Sequence, residues 1–190
     1  TNSTNCPSLF PSLREDPPIN PSGINRVNTT AKLLKSAGPL NIPVYVTTQS
    51  RAKLGDTVSD LQPYIASSNA NVRANIDKTL FSMITPEIDA LLPKTQVEKP
   101  LDAIIVGIET HICVTQTTLD LLERGHRVYV IVDGVSSINP EERGVAIARL
   151  RDAGAIVTSS ESIMFEMLGD AKNSGFKEVS GLVKETKEET

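Results

Sequence analysis

With two cysteines and two histidines in 190 residues, any nucleophile or metal site must be built from few side chains. Cys113 is the best placed of them. In AIIVGIETHICVTQTTLDLLERG an apolar strand runs through Gly107 into a helix whose first turn carries Cys113. Unpaired backbone N–H groups and the positive end of the macrodipole favour a thiolate there and can hold an oxyanion. The same position also suits a small buried apolar group. A thiolate needs a cationic neighbour or a base. Lys78, in NIDKTLFSM, is flanked by Ile76, Leu80 and Phe81, which would hold it in place, although an ordinary edge-strand lysine reads the same way. His111 lies two residues from Cys113, and residues two apart on a helix do not face each other. His126, just after the helix-ending Gly125, reads as a cationic C-terminal cap. Glu141 and Glu142 read as first-turn decoration of their helix, and the terminal KETKEE as a solvated face.

The elements that must position these residues alternate. Ile24 to Ala37 has a helical period and stops at Gly38. Ile42 to Thr48 is a β-branched strand, followed by a polar loop ending in Asp56, a candidate cap, and about 25 polar, irregular residues before Asn75 to Met83. Pro86 to Leu92 reads as a short helix, Ala103 to Val106 as a strand covered on both faces, and Thr110 to Arg124 as a helix closed by Gly125. Val128 to Val132 is the next buried strand, ended by an Asp133-Gly134 turn. Pro140 to Ala153 is a helix with Asn139 as its cap, Ala155 to Thr158 a short strand, and helices follow from Ser159 to Leu168 and from Phe176 to Lys187. Near-continuous apolar strands alternating with helices predict a parallel sheet wrapped on both faces, a three-layer α/β/α domain. In such sheets the ligand sits outside the carboxyl ends of the strands, after Thr48, Val106 and Val132.

Composition narrows the function. The chain is 39% hydrophobic and 22% charged, in keeping with one domain spanning 1–190, and its net charge of −4 offers no basic field for nucleic acid or an anionic membrane. No apolar run approaches the ~20 residues of a membrane-spanning helix, and TNSTNCPSLF lacks a signal-peptide pattern, so the expected compartment is cytoplasmic. That compartment argues against a Cys6–Cys113 disulfide. There is no GxGxxG after a strand, no GxxxxGK[ST] and no GxSxG, which removes the usual support for a nucleotide binder or a serine hydrolase. Five prolines (Pro7, Pro11, Pro17, Pro18 and Pro21) crowd the first 21 residues and argue against a central strand there.

The block VGIETHICVTQTTLDLLERGHRVYVIVDGVSS, together with IPVYVTTQSRAKLGDTV, DKTLFSM and RLRDAGAIVTSSESIMFEMLGDA, resembles the isochorismatase-like cysteine hydrolases, in particular the isochorismatase domain-containing subgroup, from Ile24 to Lys187. The resemblance implies a six-stranded, mainly parallel, Rossmann-like sheet and an Asp–Lys–Cys site. Cys113 matches its nucleophile and Lys78 its lysine. A non-proline cis peptide between Ile108 and Glu109 is implied as well, aiming backbone N–H groups at the oxyanion. Small substrates follow from the same source, such as isochorismate, nicotinamide-type amides or N-carbamoyl compounds, as does a homo-oligomer; no cofactor and no metal are expected. The departure lies at the start. Family members open with an apolar strand running into Asp-x-Gln, and neither is evident here. The expected aspartate falls at Phe10 or Pro11 in one alignment and at Asn5 in another, so Glu15 and Asp16 are the nearest carboxylates and Asp16 the candidate substitute base. The competing function is a non-catalytic or impaired member that keeps the fold and the cysteine for binding or assembly.

Overall fold

The computed structural model describes residues 7–12, 21–66, 71–94 and 99–188. Its centre is a six-stranded sheet of β1 (Pro7–Ser12), β2 (Val44–Gln49), β3 (Val72–Lys78), β4 (Asp102–Ile108), β5 (Arg127–Ser136) and β6 (Ile156–Thr158), in the order β3-β2-β1-β4-β5-β6. Every adjacent pair is parallel. Successive side chains of a strand point to opposite faces, so a strand buried on both must be apolar throughout. Ile104 and Val106 of β4, with Tyr129 and Ile131 of β5, join one core; Ala103 and Ile105, with Val128 and Val130, join the other. The first core is covered by α1 (Pro21–Ala37), α7 (Ser160–Leu168) and α8 (Phe176–Glu188), through Leu34, Met164 and Val179. The second is covered by α4 (Pro86–Asp89), α5 (Thr115–Glu123) and α6 (Pro140–Asp152), through Ile88, Leu121 and Leu150. The architecture is the expected three-layer α/β/α.

The opening segment corrects the reading of its prolines. β1 is a central strand, between β2 and β4. Pro7 and Pro11 lie an even number of residues apart, so both missing N–H donors fall on the same side of the strand and the other side is spared. The pairing with β4 accordingly runs unbroken from Pro7↔Asp102 to Ser12↔Gly107, whereas the register with β2 is down to Leu9↔Val44 and Ser12↔Thr47. Asn5, Cys6, Glu15 and Asp16 lie outside the described residues.

Three further expectations are redrawn. β5 does not stop at Asp133-Gly134 but continues to Ser136, because between Ile105↔Val130 and Gly107↔Val135 five residues of β5 answer two of β4 and the excess bulges out. Gly134 sits where the strands close up: a Cβ there would lie 2.7 Å from Val106 Cγ1. The stretch after β2 is ordered as α2 (Arg51–Leu54), a 3-10 turn (Ser59–Leu61) and α3 (Gln62–Ala66). Asp56 caps none of these, its carboxylate accepting from Thr57 N instead. Among the described residues, no helix is long and apolar enough to cross a membrane.

Candidate active site

Three parallel strands deliver their last residues to one edge of the sheet: Gln49 from β2, Lys78 from β3 and Ile108 from β4. Gln49 and Lys78 are Cα partners across β2 and β3. Lys78 is 4% exposed. Its ammonium donates to Gln49 Oε1 at 2.7 Å, Leu80 O at 2.9 Å and Phe81 O at 3.0 Å. A lysine has three N–H donors, so all of them are taken by neutral oxygens, an arrangement that only the protonated amine can satisfy. Burial pushes its pKa below the usual lysine value, and the charges of Cys113 and Asp77 pull it back up. Asp77 itself faces away by strand alternation and accepts from Arg51 N and Thr48 Oγ1, both at 2.8 Å.

Cys113 lies in a π-helical turn, Thr110–Val114, that leads into α5. Such turns are rare and recur at functional sites. The thiol is 6% exposed and forms no disulfide. The turn is pinned by threonines: Thr115 Oγ1 donates to Thr110 O, and Thr117 Oγ1 to Cys113 O, each at 2.7 Å. The fully buried Thr117 hydroxyl also accepts from Met83 N at 2.9 Å. One hydroxyl therefore ties the cysteine turn to the loop whose carbonyls hold Lys78.

The peptide between Ile108 and Glu109 is cis. Glu109 is 5% exposed and accepts from Ile138 N at 2.7 Å through its carboxylate. The His111 ring is engaged by Ser137 Oγ at 3.0 Å, with Glu109 Oε2 at 3.9 Å, so it serves the loop after β5 and is not paired with Cys113. His126 is also not the cationic cap that its position suggests. It is buried, its Nδ1 accepts from Leu101 N at 3.2 Å, and burial holds its pKa below the usual histidine value. Among the described residues, no group of three or more His, Cys, Asp or Glu is placed to hold a metal.

Residue-by-residue reading missed Gln49 and Thr117. Gln49 had a signal, a polar residue at the carboxyl end of a buried parallel strand. Thr117 had none, since nothing in TQTT separates it from its neighbours.

The isochorismatase domain profile matches residues 14–162. The chain is 41% identical over 165 residues to the secreted isochorismatase effector of Phytophthora sojae, covering 87% of this chain and 76% of that protein. Its fold superposes on the MAR1 ribonuclease of Caenorhabditis elegans with a TM-score of 0.81 and 35% identity, covering 94% and 90% of the two chains. It also superposes on YcaC from Pseudomonas aeruginosa, a structure with hexane-2,5-diol and covalent acrylamide, with a TM-score of 0.73 and 25% identity over 94% and 89%. By profile, sequence and fold together, the chain belongs to the isochorismatase domain family and has the hydrolase fold of that family.

Proposed function

We propose that the protein is a cysteine hydrolase of small molecules in which Cys113 attacks as the thiolate and Lys78 supplies the cation that stabilises it. The observation that carries this reading is the joining of a buried thiol, in the turn after β4, to the loop whose carbonyls hold the buried Lys78 ammonium, through the single Thr117 hydroxyl. A nearby opposite charge favours the thiolate, and so does the helix N-terminus. The thiolate adds to the substrate carbonyl, and the backbone N–H groups of the turn at Ile108 and Glu109 receive the oxyanion. On an amide or N-carbamoyl substrate the amine leaves with a proton drawn from water, and water hydrolyses the resulting thioester or thiocarbamate to restore the thiol. On the vinyl ether of isochorismate the thiolate and a proton add across the C=C bond, water displaces the alcohol, and the thiohemiketal collapses to a ketone and the free thiol. Isochorismate, nicotinamide-type amides and N-carbamoyl compounds are the substrate classes to test. Since Cys113 acts only while reduced, a reducing compartment such as the cytoplasm suits the chemistry. Assembly into a homo-oligomer belongs to the same proposal, supported by the exposed apolar side chains of Leu91, Val145 and Phe165.

A ribonuclease activity, the one for which the C. elegans protein is named, suits this chain poorly. The net charge is −4, and both histidines are already bound to protein groups. The test is modification of Cys113 by iodoacetamide or acrylamide at neutral pH, read by mass, alongside turnover of nicotinamide and isochorismate. Selective labelling of Cys113 and turnover that Cys113→Ser abolishes are expected. An inert Cys113 with no turnover would overturn the proposal and leave the binding or assembly role.

A further inference from the structure

We infer that Gln49 is a positioning residue, placed so that the Lys78 ammonium is held without having its charge cancelled, leaving that charge to the sulfur of Cys113. This rests on the reading of Cys113 as a thiolate nucleophile. A buried lysine is ordinarily met by a carboxylate, because burying an unpaired charge is costly. Here the acceptors are a side-chain amide and two backbone carbonyls. Three such oxygens satisfy every N–H and return partial negative charge but bring no full charge of their own. Asp77, the carboxylate whose charge acts on the ammonium, faces away and is bound to Thr48 Oγ1 and Arg51 N.

The amide is fixed from both ends. Its Oε1 accepts from Lys78 Nζ, and its Nε2 donates to Thr79 O at 2.9 Å. Those partners allow only one orientation of the amide, since an ammonium can only donate and a carbonyl can only accept. The backbone repeats the clamp one residue on, where Ser50, at φ 45°, donates its N–H to Lys78 O at 2.9 Å. The end of β2 thus grips Lys78 and Thr79 through three hydrogen bonds. In this position a glutamate would accept from the same ammonium and cancel its charge, while giving up the donor to Thr79 O.

The experiment is the pH profile of Cys113 alkylation by iodoacetamide in the full chain, compared for the wild type, Gln49→Leu, Gln49→Glu and Lys78→Met. Gln49→Leu should raise the midpoint by about one pH unit, slowing alkylation at neutral pH about tenfold. Gln49→Glu should slow it at least as much, although it keeps both the length and the acceptor. A residue that served only to fill space would tolerate glutamate in the alkylation profile, with the lost donor to Thr79 O showing in denaturant unfolding instead, so a Gln49→Glu profile that follows the wild type overturns the inference. A Gln49→Leu profile that follows the wild type does the same. Should Gln49→Leu not fold, the nearly isosteric Gln49→Glu still decides. Lys78→Met separates the two levels of the argument: if it slows alkylation while both Gln49 variants match the wild type, the inference alone falls. If the wild-type thiol is itself inert, the functional reading falls and takes the inference with it.

Discussion

The two ends of the same parallel sheet treat charge in opposite ways. Where β4 and β5 begin, Asp102 and Arg127 are Cα partners, and the guanidinium meets the carboxylate through two bonds of 2.5 and 2.7 Å. Each charge there is cancelled by its neighbour, and the hydrogen bonds to Asp102 hold the Arg127 pKa above its ordinary value. Where β2 and β3 end, the Lys78 charge is buried deeper and met by neutral groups, an amide and two carbonyls. A charge with a full counter-ion serves the fold. A charge held by dipoles remains available, and the charges that act on Lys78 are those of Cys113 and of Asp77, whose carboxylate is already bound to Arg51 N and Thr48 Oγ1. On the proposed function, the pair at the strand starts is structural and the one at the strand ends chemical.

The harshest test of that contrast removes the cation from the reactive end. An opposite charge close to an ionising group shifts its pKa by about 1–3 units, so Lys78→Met should slow Cys113 alkylation at neutral pH by roughly tenfold to a thousandfold. Methionine keeps the length of the stem, but Gln49 Oε1, Leu80 O and Phe81 O lose their donor, so some stability is lost and denaturant unfolding is measured alongside to show that the variant is folded. Unchanged alkylation would place Lys78 in the same structural class as Arg127. The next effect in size concerns the tie between the two reactive elements. Thr117→Val keeps the shape but strands Met83 N in a dry site, which should cost about 1–3 kcal/mol in denaturant unfolding. Its Cys113 alkylation should fall as well, since the loop that carries the acceptors of Lys78 is no longer fixed to the cysteine turn. A loss of stability with no loss of reactivity would show that the two elements are held together elsewhere.

How far the sequence disclosed these two ends follows from what periodicity can encode. The central strands were legible because burial on both faces demands runs such as AIIV and VYVIV, and the helices because Gly and Pro punctuate them. Cys113 could be picked out because it opens the helix that follows a buried strand, and Lys78 because Ile76, Leu80 and Phe81 flank it and it matches the lysine of the family it resembles. β1 was not legible: its prolines obey a rule about missing donors, and the rule does not say that two of them four residues apart lose donors on one side only. The length of β5 was hidden because a bulge is a property of the pair and not of either strand. Gln49 and Thr117 were missed because they act by accepting hydrogen bonds across 29 and 34 residues of sequence, which no local pattern records.

At the strand starts the expected effects are smaller. Asp102→Asn keeps the shape and an acceptor for Arg127, whose side chain is 55% exposed and free to turn to water, so screening limits the loss to about 1 kcal/mol. Cys113 alkylation should not change, and a tenfold change would break the separation of the two ends.

The finest discrimination is one of sign, at His126. As a cationic cap it would stabilise α5 on protonation, and stability would rise as the pH fell below about 6.5. The structure instead has a buried imidazole whose Nδ1 accepts from Leu101 N, with the pKa lowered first by burial and then by the charge of Arg124. A group that folding keeps neutral contributes stability above its unfolded pKa, and that contribution is lost as the pH falls through the lower, folded value. Wild-type stability should therefore drop on the acid side of about 6.5. Relative to wild type, His126→Gln, which can accept the same bond and does not titrate, should lose less over that interval. Denaturant midpoints at about pH 7 and about pH 5, on either side of the ordinary histidine value, measure the difference for the two proteins. If the wild type gains on His126→Gln at the lower pH, the histidine works as a cation, and the strand starts hold a charge that no counter-ion cancels.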